Sequence, residues 1–569
     1  MLLIHIFSFE DAEDVTPLTI KDKLKYFFIA YWRGIVCVLT PLLALPIILP
    51  PPIENYQWCA YCLIVMAIYW VSECIPLTIT SFLPLVVFPL TGVNSTADTS
   101  KAYMNDTLIM FLGSLILATS VEQSGLHKRL AFCAIKVIGF THFRLLLAMC
   151  VVTTFISMWI TNTAATTMMV PINFAILKVF EDQQLMNIYE TNMQGETVAS
   201  DITTCYFCAA TFSATIGGIG TLVGTATNLV LKGLFQKAYP DAPEYLSFPK
   251  FSAFSVPYMI IMEALLFINL IVLYLGYFRP NSAAAKETSI TPDGIAAAKR
   301  AVDADWKKLG RITFWEYMVI ILFGGAMVLF FCRSPQMFEG WGDFMEKRFD
   351  RPHKFIRDSA LAALVSYLML LAPSSLYFFK NFIAKYHDNF PKTPVQSVLN
   401  WSEMNAKLPY SFMFLLGGGF ALSDAAKKTG LNEKIGESLQ SLKSLPIAAI
   451  ILIIIIVVIF VTNFASNVVV CNVFVPIVME LAKKIDRNPL WYAIAAGFSA
   501  SYCFMIPVGT PGNLIVQSAA SIPTKKMIIA GAGPTLSTII ITWAAVYFWA
   551  PVIWSDLLIL PDWAHAQTT

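Results

Sequence analysis

The sequence predicts an all-α polytopic membrane protein with about 11 transmembrane helices, two re-entrant helical hairpins and an inverted-topology repeat. Three observations lead there. Hydrophobic residues fill 57% of the 569 positions and charged residues 13%, with a mean hydropathy of +0.65, whereas soluble domains carry about 25% charged residues. Two long apolar stretches are interrupted by asparagine-centred polar clusters, "TNTAATTMMVPI" from Thr161 and "SNVVVCNVFVPI" from Ser466. Finally, those clusters recur at a fixed spacing, Asn162 and Asn467 standing 305 positions apart.

A bilayer core about 30 Å thick takes roughly 20 mainly apolar residues per helix. Windows of that kind place crossings at 34–50, 57–74, 77–93, 107–126, 203–231, 253–277, 313–332, 359–379, 408–430, 491–518 and 526–551. The stretches 143–180 and 447–482 hold the polar clusters, each followed by a proline. Neither is expected to be a simple continuous crossing, because irregular backbone at membrane depth survives only where it lines a buried or watered cavity.

Residues 1–33 form a cytoplasmic N-terminal segment in this reading. Its start, "MLLIHIFSFEDAED", has too short an apolar run and no basic region for a signal peptide. With that end inside, 22 of the 39 Lys and Arg fall on the cytoplasmic side and 17 outside, a modest positive-inside bias. The polar segment 278–312 is a cytoplasmic linker, Ala-rich enough for a partly amphipathic helix. It divides a first half, 34–277, from a second, 313–551, and 552–569 is left as an extracellular C-terminal tail.

The repeat is explicit in the letters. A shift of 305 lays Gly113 on Gly418, Gly125 on Gly430, Asn162 on Asn467 and Pro171 on Pro476. Further on, "GTATNLV" and "GTPGNLIV" align Gly224 with Gly509, Thr225 with Thr510 and Asn228 with Asn513 at a shift of 285. The 20 extra residues of the first half fit the polar stretch 181–201, read as a loop. Five crossings separate equivalent elements, so the copies face opposite ways.

Each Asn-centred turn between apolar arms can form the tip of a helical hairpin. Such a tip offers carbonyl, amide and hydroxyl oxygens to a small cation, and the N-terminus of its second arm to an anion. Gly217–Asn228 and Pro507–Asn513 put Gly and Pro inside otherwise good spans, which unwinds them and frees their carbonyls. No basic residue lies at either tip, so an anionic substrate there relies on hydroxyls, Asn amides, helix ends and co-bound cations.

Charged residues within spans are functional candidates because burying them is expensive; Glu73, Glu122, Glu263 and Asp424 qualify. Enzyme signatures are missing: no H-E-x-x-H, G-x-S-x-G or Walker A motif occurs, and all six histidines fall in expected loops or tails. The net charge of +2 gives no field for nucleic acid. The eleven cysteines, including the Cys59 and Cys62 pair, have no zinc-ligand spacing and read as packed thiols. Asn94, Asn105 and Asn400 begin weak glycosylation sequons.

The stretch "ASYCFMIPVGTPGNLIV" from Ala500, with Ser501, Phe504, Pro507, Gly509, Asn513 and Val516, resembles the signature of the divalent anion/sodium symporter family. The two tips resemble that family's paired Ser-Asn-Thr motifs, and the likeness spans nearly the whole chain, nearest to the insect members of its animal citrate/dicarboxylate branch. It implies a plasma-membrane homodimer in the lipid bilayer, with an elevator mechanism. Scaffold helices would be 34–126 and 313–430, and the moving part 143–277 and 447–551. By position, one sodium ion would be held by Ser157, Thr161, Asn162 and Gly224, a second by Thr462, Ala465, Asn467 and Gly509. Citrate or dicarboxylate would meet Asn162, Thr163, Thr225, Asn467, Val468 and Thr510. The chain departs from the family at Thr161, which has a methyl where Ser is usual, and at Val468, which lacks a hydroxyl. Sodium-independent exchange, sulfate as substrate, and a non-transporting metabolite receptor or scaffold stand as alternatives.

Overall fold

The computed structural model describes residues 19–49, 51–184, 186–191, 195–276, 292–352, 354–383, 393–438 and 443–564. The first 18 residues of the expected N-terminal segment, 278–291 of the linker and 565–569 of the tail lie outside them. The described chain is mostly helical. Among the described residues six helices are long and apolar enough to cross a membrane, with four shorter apolar ones beside them. Large apolar side chains stay exposed along them, Leu42 and Leu43, Ile321 and Val328, Leu536 and Ile540 among them. That much exposed apolar surface suits lipid as solvent.

The first helix, α1 (Ile20–Ala44), starts well inside the segment read as a cytoplasmic extension, because Thr19 and Asp22 close a capping box at its N-terminus. α2 (Asn55–Ser72) follows as expected. The 77–93 window is broken into α3 (Leu77–Thr80) and α4 (Leu83–Thr91), since Pro84 at the start of α4 has no N–H to donate back across the break. A short α5 (Thr96–Lys101) leads to α6 (Asp106–Ser124), and α7 (Leu126–Ile138) turns off it at Gly125, whose φ of 73° is left-handed. The amphipathic α7 carries His127, so the expectation that every histidine sits in a loop or tail fails there. It fails again at His142, which opens α8 and whose Nδ1 lies 3.1 Å from the Tyr206 hydroxyl. Burial pushes the His127 imidazole pKa down.

α8 (His142–Ser157) and α9 (Asn162–Asp182) form a helical hairpin. The chain turns at 158–161, whereas Pro171 lies inside a helix that continues through it. The stretch read as a polar loop holds an antiparallel hairpin, β1 (Tyr189–Thr191) on β2 (Thr197–Ala199), in register Tyr189 to Ala199. α10 (Asp201–Gly217), an irregular segment and α11 (Ala226–Ala238) replace one crossing; α12 (Phe248–Leu273) ends the half.

The linker contributes α13 (Pro292–Leu309), followed by α14 (Phe314–Cys332), α15 (Trp341–Arg348) and α16 (Asp358–Leu371), which stops short of its window ahead of Pro373. After α17 (Lys380–Ile383) and α18 (Trp401–Lys407) come α19 (Ser411–Lys428) and α20 (Leu431–Ser438). The second hairpin is α21 (Ile447–Thr462) with α22 (Asn467–Lys484), then α23 (Pro489–Ser499), α24 (Pro511–Ala520), α25 (Thr524–Ala544) and α26 (Ala550–Ile553). The described part of the stretch expected as an extracellular tail, 552–564, packs on the fold. Trp554 donates to the Tyr245 carbonyl at 2.9 Å, and Leu557 is fully buried.

Packing repeats between the halves. α8 and α9 embrace α10 as α21 and α22 embrace α23, while α11 lies on α22 and α24 on α9. A buried pair, Arg129 with Glu316 at 2.9 Å, ties α7 to α14, and Arg129 also donates to the carbonyls of Leu309 and Gly310. α6 crosses α16 at Gly113, where an added Cβ would sit 2.5 Å from that of Ala362. Gly113→Val should therefore force these helices apart and cost about 1–3 kcal/mol. The check is thermal unfolding in detergent beside Gly34→Val, whose site is open; equal melting points would refute the close contact.

Candidate functional site

The site is built from two hairpin turns and two broken helices. At the first turn Ser157 donates to the Asn162 side-chain oxygen at 3.0 Å and to the Ala214 carbonyl at 2.6 Å. At the second, Thr462 donates to the Asn467 side-chain oxygen at 2.8 Å and to the Ala500 carbonyl at 2.7 Å. Each turn is thereby fastened to the end of the neighbouring broken helix.

The breaks repeat more closely still. α10 and α11 are separated by 218–225, α23 and α24 by 500–510. Across the first break the Asn228 amide donates to the carbonyls of Gly218 and Thr221, at 2.9 and 2.7 Å. Across the second, the Asn513 amide donates to those of Cys503 and Ile506, at 3.1 and 3.3 Å. All three positions of each set correspond at the shift of 285. An unpaired carbonyl in hydrocarbon costs several kcal/mol, so one asparagine per break keeps both segments irregular without leaving them unsatisfied.

Glycines let the backbone close in. A Cβ on Gly224 would lie 2.5 Å from the Gly218 carbonyl oxygen and 3.0 Å from that of Met158. On Gly509 it would meet the Cys503 sulfur first, and lie 2.8 Å from the Thr462 oxygen and 2.9 Å from the Asn463 oxygen. On Gly218 it would land on the Asn162 amide. Each turn is thus a small cradle of neutral oxygens, a donor set that fits a hard monovalent cation. Among the described residues no three His, Cys, Asp or Glu side chains gather as metal ligands.

Four helices begin around these cradles. Thr161 caps α9 and accepts from Ala164 N–H, Ser466 precedes α22, Thr225 precedes α11, and Thr510 caps α24, accepting from Asn513 N–H. Asn162, Thr163, Thr225 and Asn467 are half-buried, Thr510 and Val468 buried. Thr227 joins the halves, 2.6 Å from the Ser501 hydroxyl and 3.4 Å from that of Thr225, while the Asn467 amide donates to the Ser501 carbonyl. The expected residues Ser157, Asn162 and Gly224 come together, as do Thr462, Asn467 and Gly509. Thr161 spends its hydroxyl on the cap, and Ala465 has only its N–H bonded, to the Val461 carbonyl. Sequence reasoning passed over Asn228 and Asn513 as site residues, although the repeat marked both, and missed the contacts of Thr211 with Asn513 and of Thr221 with the Met158 carbonyl.

Of the four charged candidates, Glu73 is an exposed left-handed helix cap, Glu122 pairs with Lys407 and Asp424 with Lys428. Glu263 alone is buried, accepting from Ser213 at 2.6 Å. A buried network escaped notice altogether: Lys232 of α11 meets Asp358 at 2.7 Å, and Arg333 pairs with both Asp358 and Glu244. It borders an open cleft away from the tips, which Lys354, Arg357 and Asp106 also line. Two sequon asparagines, Asn105 and Asn400, are helix caps.

A family described as the sodium:sulfate symporter transmembrane region matches residues 29–555. The chain belongs to that family. Its relatives include the protein I'm not dead yet of Drosophila melanogaster, 37% identical over 95% of this chain and 93% of that one. The Na(+)/citrate cotransporter of Rattus norvegicus is 33% identical over 96% and 98%, and the Na(+)/dicarboxylate cotransporter 3 of Mus musculus 31% over 94% of each. Among solved structures, the Alcanivorax borkumensis YdaH transporter shares the fold at a TM-score of 0.50 and 14% identity, covering 83% of this chain and 88% of that one. Family membership makes this chain a multi-pass membrane transporter and not an enzyme.

Removing either bridging asparagine should cost stability. Asn228→Ala and Asn513→Ala each strip two buried carbonyls of a donor, at roughly 1–3 kcal/mol per group. Melting points in detergent should fall comparably for the two; a fall for one alone would show that the breaks are not held by equivalent bonds.

Proposed function

We propose that the chain carries citrate and four-carbon dicarboxylates, such as succinate, fumarate and malate, across the plasma membrane, coupled to sodium. The observation that carries this is the duplicated cradle, a hydroxyl-to-asparagine bond beside a broken helix, with helix N-termini around it. The relatives named as citrate and dicarboxylate cotransporters supply the substrate class.

In this reading Ser157, Thr161, Asn162 and Gly224 hold one sodium ion, and Thr462, Ala465, Asn467 and Gly509 the other. Bound sodium supplies positive charge against the substrate's carboxylates. The protein adds the amides of Asn162 and Asn467, the hydroxyls of Thr163, Thr225 and Thr510, and the partial positive charge of four helix starts. Val468 presents methyls where Thr163 of the first tip has a hydroxyl, which lowers the number of donors available to a carboxylate. The two hairpins are re-entrant, and 143–277 with 447–551 move as an elevator against 34–126 and 313–430 within a homodimer.

Labelled citrate, succinate and sulfate uptake into cells expressing the chain, with external sodium replaced by choline, tests the function. Citrate and succinate uptake should be saturable and lost with sodium; persistence would make the chain an exchanger, and sulfate uptake alone would replace the substrate class. Asn162→Ala and Asn467→Ala should each lower uptake at least about tenfold at unchanged surface expression, and near-normal transport by either would make its tip structural. Val468→Thr should change the citrate-to-succinate ratio, and an unchanged ratio would take that residue out of the pocket.

A further inference from the structure

Glu263 lies midway along α12, 8% exposed, where α8, α10 and α25 pack against it. One carboxyl oxygen accepts from Ser213 at 2.6 Å; the other, Oε2, is buried without a hydrogen-bond partner among the described residues. The side chains beside it are the Thr154 hydroxyl and Cys150 thiol of α8, and Thr154 lies 3.4 Å from the Ser213 carbonyl. Among the described residues no cation pairs with it. The other ionisable groups on these helices are neutral thiols and phenols, Cys205, Cys208 and Tyr206 of α10, Tyr258 of α12 itself and Cys332 at the end of α14, or stand near helix ends. Those are His142 and Arg144 on α8, Asp201 on α10, Lys250 on α12, Lys525 and Lys526 on α25, and Glu316 and Tyr317 on α14. Lys526 is paired with Glu190 and Asp201, and Glu316 with Arg129.

A bare carboxylate in hydrocarbon is costly unless something positive meets it. Sodium would need several oxygens around Oε2, and the neighbours supply only the Cys150 thiol, the Thr154 hydroxyl turned to the Ser213 carbonyl, and the Ser213 hydroxyl, which already donates to Oε1. A proton needs one oxygen. The position also communicates with the first tip, because Ser213, which holds Glu263, precedes Ala214, whose carbonyl accepts from Ser157, which in turn donates to Asn162.

We propose that Glu263 is a proton-binding site of the carrier, separate from both tips, whose charge sets how firmly the first tip holds its cation. A proton from water joins Oε2 to give the neutral acid and leaves again as the carboxylate forms. The charged form favours a cation at the Ser157 and Asn162 cradle, the neutral form weakens it, and proton and cation oppose each other without sharing ligands. The inference rests on the cation-coupled reading given above.

The test uses reconstituted wild type and Glu263→Gln, with labelled succinate uptake followed across the neutral pH range as sodium is varied. Comparing the two proteins at each pH cancels the ionisation of the substrate. Acidification should raise the half-saturating sodium concentration of the wild type about fivefold and leave that of Glu263→Gln unmoved; the same pH response in both overturns the proposal. Should Glu263→Gln fail to reach the bilayer, Ser213→Ala should move the midpoint of the pH response, and an unmoved midpoint overturns it. If wild-type uptake needs no sodium, or there is no uptake, the function proposed above fails by itself. Glu263 is then read from thermal unfolding in detergent. Melting curves of wild type and Glu263→Gln that diverge with pH support the proton site, and curves that stay parallel overturn it.

Discussion

A backbone that leaves helical geometry inside a membrane has to find partners for its carbonyls and amides, and the rest of this structure follows from how it does so. The breaks at 218–225 and 500–510 would expose several carbonyls to hydrocarbon. Asn228 and Asn513 each take up two of them from one turn into the following helix. With those carbonyls fixed, the glycines at 224 and 509 can bring a second strand of backbone within contact of the hairpin turns. The N-termini of α11 and α24 are then aimed by the same bonds that satisfy the breaks, so a single device provides both stability and part of the polar surface of the site.

The buried charges do a different job. Lys232 and Arg333 face Asp358 and Glu244, two cations against two anions, on segments drawn from α11, the loop after it, the end of α14 and the start of α16. Such networks repay their desolvation only when the geometry is good, and removing one partner is far worse than removing all. Their value lies in specificity. In the conformation described, the network joins the helix that follows the first break to two helices of the second half, pairings that the proposed elevator movement must exchange, and Arg129 with Glu316 joins α7 to α14. Because α11 carries Thr225 at its start, the position of the first break depends on ions well away from it.

How much of this was legible follows from the range of each interaction. Hydropathy windows located most apolar helices because a span is a local property of some twenty residues. The breaks were legible too, since Gly and Pro inside a span act on their own turn, and the repeat singled out Gly224, Gly509 and both asparagines. The windows erred where local chemistry overrode hydropathy. Thr19 and Asp22 start α1 early, Pro84 splits the third window, and Pro373 limits α16. Lys232, Glu244, Arg333 and Asp358 were illegible because each looks like a boundary residue in its own segment, and only the fold brings them together. His127 and His142 were misplaced for the same reason, being short polar punctuation in the letters and buried helix residues in space.

The repeat also defines what is not duplicated. Both turns keep the same skeleton of hydroxyl, asparagine and helix-end carbonyl, while the residue after the asparagine differs, Thr163 in one and Val468 in the other. The bonds that satisfy buried backbone are the same in both turns, whereas the side chain after the asparagine can differ without unpairing them. The helices behind the turns have diverged as well. α12 presents Glu263 toward the first hairpin, but the packed counterpart α25 and its continuation, Thr524 to Ile553, contain no Asp or Glu. Two cradles of nearly identical oxygens therefore sit in different electrostatic surroundings, and a change of charge at Glu263 acts on one of them. Under the proposal for Glu263, the two cradles would differ in their sensitivity to pH.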